Sequence, residues 1–99
     1  MPHSAEQLFQ QAVNYHQQGQ YPQAEDCYRA ALTKDPNHIN ALHLFGVMCY
    51  QGGLFEPAEE LIQKAIALNP NEAYFYCNLG TVLHQLEKFP ESEEALRKA

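Results

Sequence analysis

The sequence is short of cations, cysteine and long apolar runs, and it has no tryptophan. Six Lys plus Arg stand against twelve Asp plus Glu, a formal charge of −6. Binding to a phosphate backbone rests on clustered cations, so nucleic acid is excluded as a partner. Cys27, Cys49 and Cys77 are odd in number and too widely spaced for a CxxC or zinc-finger pattern, which points to a reduced, cytoplasmic protein. Nowhere do eighteen apolar residues follow one another, and the N-terminus MPHSAEQLFQQ has neither a basic start nor an apolar core. A membrane span and a secretory signal are therefore not expected.

Against this background one stretch organises the rest. Residues 39–52, INALHLFGVMCYQG, contain no Asp, Glu, Lys or Arg. Leu42, Phe45, Gly46 and Cys49 form an apolar stripe at helical spacing, while Leu44, Val47, Met48 and Tyr50 extend that character around the cylinder. Such a helix needs neighbours on several sides. At ~1.5 Å per residue it is too short for a bilayer, so the neighbours are other helices of an all-α fold.

The remaining helices are marked by their ends. Ser4 with Gln7 reads as a capping box that starts a first helix at Ala5, running to about Gln18. Gly19 supplies a turn, and Pro22 suits the first turn of a second helix, which runs to Lys34 and stops at Asp35 before Pro36. The helix from Ile39 ends at Gly52 and Gly53, another begins near Glu56 and Pro57, and that one ends at Asn69 before Pro70. A third pair starts at Ala73.

Pro36 and Pro70 lie 34 residues apart. The same shift brings Leu8 onto Leu42, Val13 onto Val47, Gly19 onto Gly53, Ala24 onto Ala58, Ala31 onto Ala65 and Asn37 onto Asn71. It also brings Gly46 onto Gly80, Phe55 onto Phe89 and Ala65 onto Ala99. Gly46, Gly80, Ala24, Ala58, Ala31 and Ala65 are small where helices approach closely. Enlarging Gly46 to Leu is therefore expected to cost about 1 to 3 kcal/mol by overpacking. The second helix of each pair carries most of the charge, with Glu25–Arg29, Glu60–Lys64, Glu93–Arg97 and Glu94–Lys98 at ion-pair spacing.

A helical pair repeated in this way resembles the tetratricopeptide repeat family. The pattern stands here as Leu42, Phe45-Gly46, Cys49, Ala58, Ile62, Ala65 and Pro70. It returns as Tyr76, Leu79-Gly80, Leu83, Leu96 and Ala99, and the first copy shows Leu8, Ala12, Tyr15, Ala24, Tyr28, Ala31 and Pro36. Departures are the missing Trp, Gln11 for Leu, Cys49 and Leu83 for Tyr, and Ser92 for Ala. The resemblance implies a right-handed superhelical α-solenoid of antiparallel helix pairs, with repeats at about 5–38 and 39–72 and an incomplete one at 73–99, within one domain of residues 1–99.

In that family the first helix of each repeat lines the concave surface. The resemblance thus implies a groove built from Phe9, Val13, His16, Asn40, His43, Val47, Tyr50, Tyr74, Cys77, Asn78, Thr81 and His84. Its chemistry suits a protein or peptide partner: Asn40 and Asn78 offer amides to an extended backbone, and Tyr50 and Tyr74 offer faces for side chains. A His43→Glu change is expected to weaken capture without unfolding. Relatives that grip a chaperone's C-terminal carboxylate use Lys, Arg and Asn on these helices. The corresponding surface here shows Phe9, Val13, Leu44, Tyr74 and Asn78, so that clamp is rejected.

Residues 76–99, YCNLGTVLHQLEKFPESEEALRKA, are also similar to repeats of the N-terminal superhelix of O-linked N-acetylglucosamine transferases and their bacterial relatives. Asn78 matches their asparagine ladder, while Leu44 and Gln10 depart from it. Two functions compete on these grounds: a non-catalytic interaction scaffold, or the substrate-recruiting arm of a larger enzyme such as a glycosyltransferase of that kind.

No cofactor and no metal are expected. His16 and His84 lie two repeats apart, roughly 20 Å at ~10 Å between packed helices, beyond the reach of one ion. His3 lies in a tail and His38 in a turn. No nucleophile, base and orienting carboxylate share a cleft, and Cys77 has no cation on its helix to lower its pKa. Leu83, Leu86 and Leu96 lack a following helix to cover them. The sequence favours a piece of a longer protein, the alternative being self-association through the uncapped third repeat.

Overall fold

The computed structural model describes residues 3–99. Six helices follow one another: α1 (Ala5–Gln17), α2 (Tyr21–Lys34), α3 (Ile39–Gln51), α4 (Phe55–Leu68), α5 (Ala73–Gln85) and α6 (Phe89–Lys98). Starts of α1, α3 and α5 recur every 34 residues, as do those of α2, α4 and α6. The expected boundaries hold to within a residue or two. At the first helix the capping box is formed: the Gln7 amide donates to Ser4 Oγ at 3.1 Å, and the Ser4 amide to Gln7 Oε1 at 2.8 Å. Pro22 sits in the first turn of α2, where no amide is missed.

The turns inside the pairs need a left-handed residue. Gly19 and Gly53 fill it with φ of 76° and 81°. The third turn puts Glu87 there instead, at φ 61°, a conformation its Cβ opposes.

Small residues set the packing. Ala24, Ala31, Ala58 and Ala65 are fully buried, and a Cβ on Gly46 would come within 2.8 Å of Ile62 Cγ1. Larger rings fill the spaces between pairs: Tyr28, fully buried, stacks on Phe45 with centroids 5.5 Å apart. Ser92, in the position of Ala58, is buried too. Its hydroxyl donates to the Gly80 carbonyl at 2.7 Å, which satisfies a group that would otherwise be costly to bury.

Each helix packs on the next, while α1 also touches α3 and α3 touches α5. No such contact joins α2 to α4 or α4 to α6. The odd-numbered helices are therefore the more closely spaced layer, and the stack, 47 × 25 × 17 Å, curves towards them.

Two expectations need correction, the uncovered leucines and the ion pairs. Leu83 is not uncovered: α6 buries it, Leu86 is half-buried, and only Leu96 stands open at 50%. Glu94 meets Arg97 at 3.6 Å rather than Lys98, whose ammonium lies over the Tyr76 ring at 5.8 Å. Of the four expected pairs, Glu25–Arg29 is the one formed, at 2.9 Å. Exposed flexible chains choose among such partners for small energy differences.

Candidate functional site

The inner layer is poor in charge. Among the helical residues of α1, α3 and α5 there is no Lys or Arg, and Glu6 is the sole acid. All six cations lie on the even helices or in a turn.

The expected groove residues reduce to a few positions of the repeat, and the structure treats them differently. Phe9, His43 and Cys77 are one position in three copies. Phe9 and His43 are each 7% exposed, whereas Cys77 is exposed. Phe9 lies under His38 at 4.7 Å and His43 under Phe75 at 4.5 Å, so this position is closed by the repeat that follows. Phe9 and His43 are core residues, contrary to the expected groove.

The burial has consequences at His43. Asn78 Nδ2 donates to His43 Nε2 at 2.7 Å, and Tyr74 packs edge-on at 6.1 Å. Burial holds the imidazole below its ordinary pKa, although Glu72 pulls the other way. A glutamate there would place a carboxylate in the core, so the expected folded His43→Glu protein is withdrawn.

Val13, Val47 and Thr81 form a second position, half-buried in the first two copies and open in the third. His16, Tyr50 and His84 form another. His16 Nδ1 lies 2.9 Å from the Tyr28 hydroxyl and its Nε2 2.8 Å from Gln51 Oε1, tying the first repeat to the second. His84 meets Phe89 edge-on at 5.1 Å. Asn40 and Tyr74 are exposed.

Four of these residues come together. Val47, Tyr50, Asn78 and Thr81, with Gln51, Ile62 and Val82, line a cavity of about 230 Å³ between α3 and α5. Its floor is aliphatic and its rim carries a phenol, two amides and a hydroxyl. Asn40, His43 and Tyr74 border a wider, shallower recess with Glu72 at its edge. Phe9, Val13, His16, Cys77 and His84 line neither.

Two contributors escaped the sequence reading. Gln51 lines the cavity and bridges to His16, and its place one turn after Val47 was the available signal. His38 is the N-cap of α3: its Nδ1 accepts from the Ala41 amide at 3.1 Å, and its Nε2 lies 3.0 Å from Glu6 Oε1. Histidine is outside the usual capping set, so nothing announced that role.

The arrangement offers recognition chemistry. Burial pushes the Tyr28 hydroxyl up to about 12 and raises the Cys27 and Cys49 thiols, so these groups stay protonated near neutrality. Among the described residues no three His, Cys, Asp or Glu gather where a metal ion could sit, and no helix is long and apolar enough to cross a membrane.

Known proteins agree with this architecture. The second TPR domain of Spaghetti (RPAP3), solved with the HSP90 peptide SRMEEVD, superimposes with a TM-score of 0.92 at 19% identity, over 96% of this chain and 88% of that one. Its first TPR domain, with the same peptide, gives 0.92 at 25% identity, over 96% and 75%. MamA gives 0.92 at 19% identity, over 96% of this chain and 56% of its own length. Likeness at 19% identity shows the fold alone. No curated protein sequence matches. One family model described as tetratricopeptide repeat matches residues 15–76 and a second with that description matches residues 61–95. The first covers well over half of the sequence, and the chain belongs to the tetratricopeptide repeat family.

Proposed function

We propose that this chain is a non-catalytic interaction module that binds an extended segment of a partner protein along α1, α3 and α5. The observation that carries the reading is the cavity between α3 and α5, where an aliphatic floor of Val47, Ile62 and Val82 is ringed by Tyr50, Gln51, Asn78 and Thr81. Such a cavity takes a small apolar side chain, and the surrounding amides bond the backbone on either side of it. A polar group left unpaired there would cost more than the bond returns, which gives preference for one register.

The charge of the layer narrows the ligand. The Spaghetti domains were solved with the peptide SRMEEVD, which carries two glutamates and an aspartate among its last four residues. Nothing on α1, α3 or α5 here offers a lysine or arginine to such a tail, and the whole chain repels it at −6. The fitting partner segment is uncharged over the residues that touch the groove.

The test is selection of random displayed peptides of about twelve residues, long enough in extended form to cross all three helices. Selected sequences should carry Val, Leu or Ile among polar neutral residues. Their affinity should fall about tenfold or more with Thr81→Lys, a change at an exposed position that leaves the core alone. Equal affinity for this variant would move the binding site off the groove.

A further inference from the structure

The outer side of the junction between the first and second helix pairs carries a trough that the proposed groove does not use. Two adjoining recesses of about 250 and 210 Å³ share Glu25, Cys49 and Leu54. Their apolar surface comes from Tyr21, Pro22, Met48, Cys49, Leu54 and Leu61. Tyr21 is 49% exposed and Leu54 56%.

The fold does not require the Tyr21–Leu54 end of this opening. At the next junction, 34 residues on, Lys88 stands where Leu54 does and Glu59 where Glu25 does, and their side chains are joined at 3.0 Å. Phe55, in the place of Tyr21, is partly buried, and Leu86 takes the place of Gly52. The Arg29–Leu61 end of the trough has a counterpart of about 360 Å³ at that junction, lined by Gln63, Leu79, Leu83, Glu94 and Lys98; what sets the first junction apart is its Tyr21–Leu54 end, apolar and floored by a glycine where the next is bridged by an ion pair.

We infer that this trough is a second interaction surface, which receives an amphipathic helix of a partner protein. The walls carry no side-chain amide to pair an extended backbone, as Gln51 and Asn78 do at the groove, whereas a helix satisfies its own backbone and needs only an apolar seat. From Tyr21 to Arg29 the trough runs along nine residues of α2, about 12 Å, which is two to three turns of the occupant. Both walls are polarised in the same sense. On α2 Glu25 precedes Arg29 by one turn, and on α4 Glu60 precedes Lys64 by one turn. Glu25 is held by Arg29 Nε at 2.9 Å, and the same guanidinium lies over the Phe45 ring at 5.2 Å. The complementary helix presents Leu, Met or Phe at i, i+3 or i+4 and i+7, flanked by a cation and, one turn away, a carboxylate.

The probe is a displayed library of amphipathic helices of about sixteen residues, ~24 Å long, with the flanking positions randomised. Two variants of the whole chain close the trough. Leu54→Lys copies the bridged junction, and Gly52→Gln fills the floor, where an added Cβ would meet only the Cys49 and Met48 carbonyls at an ordinary 3.7 Å. The expected result is enrichment of helices with that charge pattern, whose affinity falls about tenfold or more with each variant while the melting temperature holds. Failure to enrich any helix, or equal affinity for both variants, would overturn the inference. So would a concentration-dependent dimer in sedimentation that Leu54→Lys dissolves, since the occupant would then be a second copy of this chain.

Discussion

The second and third helix pairs carry the same signature in different surroundings. Ile62 in α4 is fully buried, covered by α5, whereas Leu96 in α6 occupies the same place in the repeat and is 50% exposed. His43 is sealed beneath Phe75 while its counterpart Cys77 faces solvent. The comparison separates two things that a repeat sequence writes as one. The residue type at a position comes from the repeat, but its energetic weight comes from the helix that covers it.

The largest difference should appear on truncation. Ile62→Ala removes a buried side chain with α5 pressed on it and is expected to destabilise by about 2 to 5 kcal/mol, against less than about 1 kcal/mol for Leu96→Ala. Equal losses in denaturant unfolding would show that Leu96 is as enclosed as Ile62. Next come the two glycines. Gly46→Leu drives into Ile62 and Leu61 and should cost about 1 to 3 kcal/mol, whereas Gly80→Leu meets Leu96, which is half in water and freer to shift, and should cost less than its counterpart.

The third turn gives a smaller effect of opposite sign. Glu87→Gly restores the residue that Gly53 supplies at the equivalent turn and should stabilise by about 0.5 to 1 kcal/mol, net of the entropy that glycine adds to the unfolded chain. A lower melting temperature would mean that the Glu87 side chain holds the turn.

Proton linkage sharpens the His43–Cys77 contrast. The folded pKa of His43 lies below the ordinary value of 6.5, and burial is the main cause. Between the two values the unfolded chain binds a proton that the folded chain refuses, so this contribution is complete above 6.5 and is lost as pH falls below it. Melting measured from pH 7.5 down to 5 should therefore decline, and His43→Gln should decline less. Parallel curves would remove His43 from the linkage.

Much of the fold was legible because its punctuation is chemical. Pro36 and Pro70 stop helices by sterics, Gly19 and Gly53 occupy left-handed turns, and Gly46 marks the closest helix approach. The groove was legible only in part. Val47, Tyr50, Asn78 and Thr81 meet at one cavity, but His43, one turn before Val47 on α3, and Phe9, its counterpart on α1, are buried instead. A rotation of the helix by one residue decides between floor and core, and apolar character alone does not fix it. Ser92 shows the same limit. A serine in an alanine position stands in the sequence only as a departure from the repeat, and its bond to the Gly80 carbonyl exists only once α5 and α6 are paired.

The most direct measurement is amide chemical-shift mapping of the ¹⁵N-labelled chain while a groove-selected peptide is added. The largest changes are expected on Val47, Tyr50, Gln51, Asn78 and Thr81, together at one affinity. Changes confined to α2, α4 and α6 would contradict that placement.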